Sequence, residues 1–353
     1  MIIACIALLM VLCYAFSMIE DYLPQHYYKY IVWGVIFLMV VISGTRPGTN
    51  VSDYRVYEGI FYNYDSIKNQ LSVEPTFLWV CELFNKMGGT IRWVIWLYAL
   101  LSIPLKIYSL SKMVPPAIFF LAIPVYLANF FQLHDCEQMR VAAALSVGMY
   151  CYLLRLEGKK WWLWVALWLV AISFHHTAAA LIVPLLVTPR KRMNIGWKVG
   201  LVAFILLGVS FWILKVNPIT TIPIPYIEAK MMLYELAISN GEHPDILVIH
   251  PIPLLRIVTF LYVLYYYDLI YERMKCFNLV LVCEALGLFC WFGLSTMSVF
   301  AVRMSELFEI TEIIMFASVI YTVKPMWLGK VWPFLVATYI FLYGCKVNQF
   351  GFL

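Results

Sequence analysis

Five arginines of this 353-residue chain stand apart from the rest of its positive charge. They are Arg46, Arg92, Arg140, Arg256 and Arg303, and each lies near an end of an apolar segment. The planar guanidinium group binds phosphate oxygens through two parallel hydrogen bonds and keeps its charge at every accessible pH. Several arginines that converge from distant segments would therefore suit a diphosphate, whereas a single one often reaches a lipid headgroup or pairs with an acid.

Histidine, acidic and aromatic residues accompany these arginines. His175 and His176 meet where two apolar stretches join, and ionisable groups at membrane depth are costly to keep. His175 is therefore a functional candidate, with a hydrogen-bonded core histidine as the alternative, and His176 is expected to be structural. Asp53 follows Arg46 in a segment bent by Gly and Pro. The remaining candidates are Tyr54, Tyr57, Glu74, Asp135 and Glu137.

The composition is that of an integral membrane protein. Hydrophobic residues make up 63% of the chain and charged residues 13%, and the mean hydropathy is +0.84. Apolar runs of about 20 residues, the length that a helix needs to cross a bilayer, are spread along the sequence. We therefore expect one all-α polytopic membrane domain over residues 1–353. The nine cysteines lack metal-type spacing, so we expect no metal site. The net charge of +5 is mostly the charge that orients the chain in the membrane, so we expect no nucleic-acid partner.

Most lysines and arginines fall in short clusters between apolar segments, and such loops stay in the cytoplasm. This rule orients the chain with both termini outside, and the first segment is expected to be a retained helix rather than a signal peptide. The predicted transmembrane helices are twelve: 2–18, 30–43, 92–111, 116–133, 140–155, 162–174, 176–187, 195–216, 253–271, 277–298, 307–322 and 328–345.

Residues 162–187 decide this topology. One long helix would put the basic clusters at 159–160 and 190–192 on opposite sides of the membrane, whereas two short helices that meet at His175 keep both clusters in the cytoplasm. We favour the two short helices. Each is then only about 18–20 Å long, so the turn is expected inside a hydrated cavity lined by protein.

Two outward segments are long enough to contain structure of their own. Residues 44–91 contain an amphipathic aromatic stretch and then a short apolar piece, which predicts a re-entrant or interfacial helix. Residues 217–253 are Pro-rich at first, and an amphipathic helix at 226–238 would suit a lid.

Glu284, inside the tenth helix, is either a proton or ion site or the partner of a neighbouring helix. Arg256 is either that partner or a further phosphate ligand.

Short motifs follow one another in a definite order along nearly the whole chain. They are an arginine with Asp53-Tyr54 and Tyr57 after the second helix, Glu74-Pro75, Arg140-Val141-Ala142 at the start of a helix, Phe174-His175-x-Thr177-Ala178, and a late Arg303. This ordered set resembles the EpsG-like branch of the Wzy polysaccharide polymerases.

The resemblance implies a GT-C-like glycosyltransferase of the bacterial inner membrane. Such an enzyme polymerises undecaprenyl-diphosphate-linked oligosaccharide repeat units on the periplasmic side, as in O-antigen or capsule assembly. Donor and acceptor are lipid-linked, a chain-length regulator is a further partner, and no cofactor is needed. Arg46, Arg140 and Arg303 would stabilise the leaving diphosphate. His175 would be the general base, with Asp53 in reserve. The sugar ligands would be Tyr54, Tyr57, Glu74, Asp135 and Glu137.

Three other classes remain open. A membrane acyltransferase would also use an intramembrane histidine, but it has no need of several outward arginines. A polyprenyl-phosphate-dependent glycosyltransferase would share the lipid phosphate but add a single sugar. A polysaccharide transporter or flippase would require charged residues along a continuous path across the membrane, whereas here they stop at the outer half, with Glu284 as the main exception.

Overall fold

The computed structural model describes residues 2–22, 24–48, 52–218, 232 and 247–346. These residues form α-helices joined by short turns, and no strand occurs among them, which confirms the all-α prediction. The helices are α1 Ile2–Ile19, α2 Gln25–Thr45, α3 Ser52–Tyr62, α4 Ile67–Ser72, α5 Pro75–Lys86, α6 Ile91–Met113, α7 Pro116–Ala128, α8 Met139–Leu156, α9 Trp161–Phe174, α10 Ile182–Val187, α11 Ile195–Leu214, α12 Pro251–Tyr265, α13 Tyr267–Arg273, α14 Phe277–Gly293, α15 Ser298–Glu309, α16 Glu312–Ser318 and α17 Met326–Lys346.

Several of these helices are long and apolar enough to cross a membrane. Six meet that condition, namely α1, α2, α6, α8, α11 and α17, and the pair α12 and α13, bent by 79°, makes a seventh if it is one broken span. Five shorter apolar helices of the described chain fall on the other predicted segments. The chain is therefore a polytopic membrane protein, as predicted.

The turn predicted at His175 is present. The backbone at His175 is extended, with φ −159° and ψ 125°, and it separates α9 from a 3-10 helix at His176–Leu181 that continues into α10. The indole Nε1 of Trp168 donates to the carbonyls of Ala178 and Ala179 at 3.1 and 3.2 Å. The chain thus folds back on α9 instead of continuing as one long helix.

Three predicted boundaries were wrong. The helix expected at 116–133 ends at Ala128 and is followed by a π-helical turn, Phe131–Asp135. The helix expected at 277–298 ends at Gly293, and Arg303 lies inside the separate helix α15 rather than ahead of a helix starting at 307. Side chains replace the lost helical bonds: Gln132 Nε2 donates to the carbonyls of Leu127 and Ala128 at 3.0 and 3.1 Å. Apolar content alone does not mark such breaks.

The chain divides into two compact units, Met1–Leu185 with Phe316–Leu353, and Leu186–Met315. In the first unit α8 packs between α6 and α9, while α1 and α17 pack on α7. In the second unit α14 packs against α11, α12 and α15. The predicted lid helix at 226–238 lies outside the described residues, apart from Met232.

The segment between α2 and α6 covers part of the first unit. Its helices α3 and α5 pack on each other and on α6, and they bury an aromatic cluster that includes Tyr57, Phe77 and Tyr98. Gly44 allows the close entry of this segment, because a Cβ atom there would lie 2.5 Å from the ring of Trp96. The first unit therefore holds α3 and α5 against the ends of α6, α8 and α9.

Candidate active site

Glu74 is placed by the proline that follows it. Pro75 is the first residue of α5, and a residue before proline is driven to extended backbone, which Glu74 adopts at φ −63° and ψ 139°. Its carboxylate makes no capping bond to the helix, so it is available to other side chains. Two residues after Glu74, Thr76 Oγ1 donates to the carbonyl of Ser173 in the last turn of α9. This bond fixes the start of α5 against the end of α9.

His175 occupies the break after α9 and faces Glu74. Its backbone N–H donates to the Ala171 carbonyl at 3.1 Å and so closes the helix. Its ring Nδ1 lies 2.7 Å from Glu74 Oε1, and 15% of the side chain is exposed. The neighbouring His176 is 49% exposed, with its Nδ1 3.7 Å from the same carboxylate oxygen. Of the two histidines, His175 is the one held in a defined orientation.

Arg140 contacts the other oxygen of the same carboxylate. It is the second residue of α8, and a cation at a helix N-terminus opposes the helix dipole, so an anion nearby is needed to keep it there. Glu74 supplies it, since Arg140 Nη1 pairs with Glu74 Oε2. The guanidinium also lies over the rings of Tyr57 and Phe77, 5.3 and 5.5 Å from their centres. Glu74 thus joins Arg140 to His175.

The charges and hydrogen bonds around Glu74 determine whether its carboxyl group is ionised. Burial raises the pKa of Glu74, but the hydrogen bond from His175 and the charge of Arg140 outweigh it and bring that pKa down to about 2. Glu74 is therefore a carboxylate at neutral pH. With Nδ1 2.7 Å from the Glu74 carboxylate, a neutral imidazole with its proton on Nδ1 would leave Nε2 as the proton acceptor. This is the arrangement of a general base oriented by an acid.

Asp53 and Tyr57 lie one turn apart on α3, next to Arg140. The Tyr57 hydroxyl is 3.4 Å from Asp53 Oδ2. Burial raises the Tyr57 pKa to about 12, with opposing contributions from the charges of Arg140 and Arg46, so the hydroxyl stays protonated. Asp53 is half-buried. Tyr54, on the same helix, has the guanidinium of Arg92 5.7 Å from its ring centre. These residues continue along α3 the group of polar side chains formed by Glu74, Arg140 and His175.

Arg46 is fully buried at the end of α2. Its Nη1 contacts the Ser43 carbonyl and hydroxyl at 3.3 Å and the Asp135 carbonyl at 3.1 Å. Its Nε and Nη2 have no hydrogen-bond partner among the residues that the structure describes. The Arg46 carbonyl in turn accepts from Arg92. Two unpaired donors on a buried guanidinium are compatible with the predicted anion ligand.

Asp135 has a different environment from that of a sugar ligand. Its carboxylate is buried and contacts Lys106 Nζ at 2.7 Å, Ser102 Oγ at 2.8 Å and the Tyr126 hydroxyl. These partners fill its acceptor sites, so the geometry gives Asp135 a structural role. Glu137, two residues on, is half-buried. Sequence reasoning missed Lys106, although a lysine inside a predicted membrane helix signals a buried partner.

Arg303 lies in the second unit, on α15, and its side chain is exposed. The structure therefore brings together Glu74, Arg140 and His175 in the first unit, with Arg46, Asp53 and Tyr57 nearby, and leaves Arg303 to be described apart from them. No group of three or more His, Cys, Asp or Glu side chains that could hold a metal ion occurs in the described residues. A proton acceptor and arginine donors are the chemical groups that the site presents.

Comparisons with known proteins identify a family. The model of the EpsG family matches residues 29–351, which is most of the chain. No curated protein and no solved structure matches the sequence. The match includes every residue of the candidate site in the first unit, from Arg46 to His175.

Proposed function

The chain belongs to the EpsG family, and from that premise we propose that it is a glycosyltransferase that polymerises lipid-linked oligosaccharides. Family membership suggests a polysaccharide polymerase or a related transferase. In the proposed reaction the growing glycan leaves an undecaprenyl diphosphate and joins a sugar hydroxyl of an incoming lipid-linked repeat unit. We further propose that the protein resides in the bacterial inner membrane with this site on the periplasmic side, as in O-antigen or capsule assembly.

The observation that carries the proposal is the contact of His175 with Glu74 at 2.7 Å. Glycosyl transfer forms a bond between the acceptor oxygen and the anomeric carbon, breaks the bond to the diphosphate and releases one proton. Nε2 of His175 would take that proton. Glu74 holds the ring in the required tautomer and stabilises the imidazolium that forms, without itself becoming protonated.

The leaving diphosphate gains negative charge as its bond to the sugar breaks. Arg46 has two unpaired guanidinium nitrogens among the described residues, and Arg140 lies beside His175 through their shared partner Glu74. Preorganised cations in a site that excludes water stabilise such developing charge by several kcal/mol. Arg303, predicted as a third diphosphate ligand from its place in the motif order, remains a proposed ligand. The donor is already activated by its diphosphate, so the proposed reaction uses no cofactor.

The acceptor sugar would lie along α3. The half-buried Tyr54 offers aromatic surface and Asp53 a carboxylate within the same two turns, whereas the burial of the Tyr57 ring argues against its role as a sugar ligand. Asp53 would orient the attacking hydroxyl. Glu137 remains a proposed sugar ligand, and the buried partners of Asp135 argue against that role for its carboxylate.

The test is the glycan ladder of a deletion strain complemented with variants. His175→Ala should leave the acceptor bearing a single repeat unit, because general-base loss costs about two to four orders of magnitude in rate. His176→Ala, which alters a largely exposed neighbour, should retain the ladder. A deletion strain without any repeat unit would indicate a transporter. A full ladder from His175→Ala but none from Asp53→Asn would make the carboxylate the base.

A further inference from the structure

Four ionisable side chains meet inside the second unit, and we call them the Arg256 cluster. Arg256 on α12 places its Nη1 2.6 Å from Glu309 Oε2 and its Nε 2.6 Å from Glu312 Oε2. The fourth member, Glu284 on α14, has its Oε1 3.3 Å from Thr311 Oγ1. Every member of the cluster is 5% exposed or less.

The cluster contains more negative than positive charge. One guanidinium faces three carboxyl groups, so full ionisation would leave two buried negative charges without a cation. Protonating a carboxyl group at neutral pH costs less than burying it unpaired.

Other titratable groups lie on the elements packed against α14. Burial and the charge of Arg256 lower the pKa of His250. On α15 the side chain of Arg303 is exposed and that of Glu306 half-buried, unlike the buried members of the cluster. Lys198, on the adjacent helix α11, pairs with Asp268 at 3.3 Å.

Glu284 is the member that Arg256 does not contact. Arg256 lies 2.6 Å from a carboxylate oxygen of Glu309 and from one of Glu312, whereas no ion pair within the described part of the chain joins it to Glu284. Glu309 packs closely on α14, because at Gly287, one turn after Glu284, a Cβ atom would lie 2.7 Å from Glu309 Cγ. The buried hydroxyl of Thr259, three residues after Arg256 on α12, lacks a partner among the described residues.

We propose that the Arg256 cluster is a proton-binding site in which Glu284 carries the proton. A neutral Glu284 leaves one negative charge, which Glu309 and Glu312 share across the guanidinium. The three carboxyl groups of the cluster do not form a group that could hold a metal ion within the described residues. This site is independent of the proposed transferase reaction and uses none of its residues.

Infrared spectroscopy of the full-length protein in detergent tests the assignment. At neutral pH the spectrum should contain the carbonyl band of a protonated carboxylic acid, and labelling with ¹³C-glutamate should shift it. Glu284→Gln, which mimics the neutral acid, should remove that band. Glu82→Gln is the matched control, because Glu82 is 42% exposed on α5 and paired with Lys86; this variant should keep the band.

The pH dependence of thermal stability is a second way to detect the same proton. If the folded state holds a proton that the unfolded chain has released, thermal stability falls as the pH rises to the point at which the cluster releases it. Glu284→Gln should lack this dependence, and Glu82→Gln should retain it.

Three results would overturn the proposal. One is a labelled wild-type spectrum without a protonated glutamate band, which is decisive even if Glu284→Gln does not fold. Another is a band that survives in Glu284→Gln, since the proton would then lie on a different residue. The third is a specific rise in thermal stability with sodium over choline at equal ionic strength, which would make a metal cation the occupant.

Discussion

Replacing Glu74 by glutamine removes the charge that joins Arg140 to His175 and changes little else in size. Two routes give the cost to folding. The drop of the Glu74 pKa from its ordinary 4.5 to about 2 corresponds to about 3 kcal/mol at roughly 1.4 kcal/mol per pH unit. Removing one partner of a buried ion pair costs about 3–5 kcal/mol, and the 19% exposure of Arg140 favours the lower end. Both routes predict about 3 kcal/mol.

The way in which this stabilisation depends on pH follows from the direction in which the pKa of Glu74 is shifted. A lowered carboxyl pKa in the folded state stabilises the protein above pH 4.5, and this contribution is lost as the pH falls from there to about 2. Unfolding of wild type and Glu74→Gln in detergent should therefore differ at neutral pH and converge in acid. Glu82→Gln, on the exposed face of α5, should unfold like the wild type.

Glu74→Gln should lower activity by more than its loss of stability explains, because Glu74 orients the imidazole of His175. We expect Glu74→Gln to reduce polymer formation by about two to four orders of magnitude in a reconstituted assay. If Glu74 serves only to orient His175, adding Glu74→Gln to His175→Ala should cost little more. Fully additive losses, or an active Glu74→Gln beside an inactive His175→Ala, would refute this mechanism.

Three further predictions concern the cations of the chain. Arg140→Lys keeps the charge but loses the planar contacts, so the glycan ladder should shrink at least about tenfold with unchanged insertion; a wild-type ladder would mean that charge alone suffices. Lys106→Met should lower the free energy of unfolding by about 3–5 kcal/mol because it strands Asp135, and adding Asp135→Asn should recover part of the loss; unaltered stability would contradict the ion pair. Cysteine accessibility should place residues 159–160 and 190–192 on the same side of the membrane, and opposite sides would refute the predicted orientation.

Much of the fold could be predicted, because in a membrane protein the lengths of the apolar segments and the positions of the charged residues indicate most of the helices and their orientation. Spans of about 20 apolar residues identify helices without any knowledge of packing. The break at His175 was predicted from the basic clusters on either side of residues 162–187, since one uninterrupted helix would separate them. Pro75 likewise marks the start of α5, because it fixes the backbone of the residue before it.

The interior of the site could not be predicted, because its contacts are set by packing. Glu74 and Arg140 are 66 residues apart in sequence, and nothing local to either shows that they meet. Glu74 was therefore expected to bind sugar rather than to orient His175. The ion pair of Lys106 with Asp135 was missed for the same reason. The end of α7 was placed too late, because the residues after it are apolar and a glutamine side chain satisfies the freed carbonyls.

In the first unit the polar side chains of the candidate site lie at the ends of helices, and there is a physical reason for this. A helix inside a membrane satisfies its own backbone groups, but at each end several N–H or C=O groups need other partners. Here the end of α9 gives its Ser173 carbonyl to Thr76, and the end of α2 gives its Ser43 carbonyl to Arg46. The polar side chains that complete a helix end are thereby held close together, where neighbouring ionisable groups can pair with them. The contact of Glu74 with His175 lies at such a place, because the interruption of α9 already requires polar neighbours.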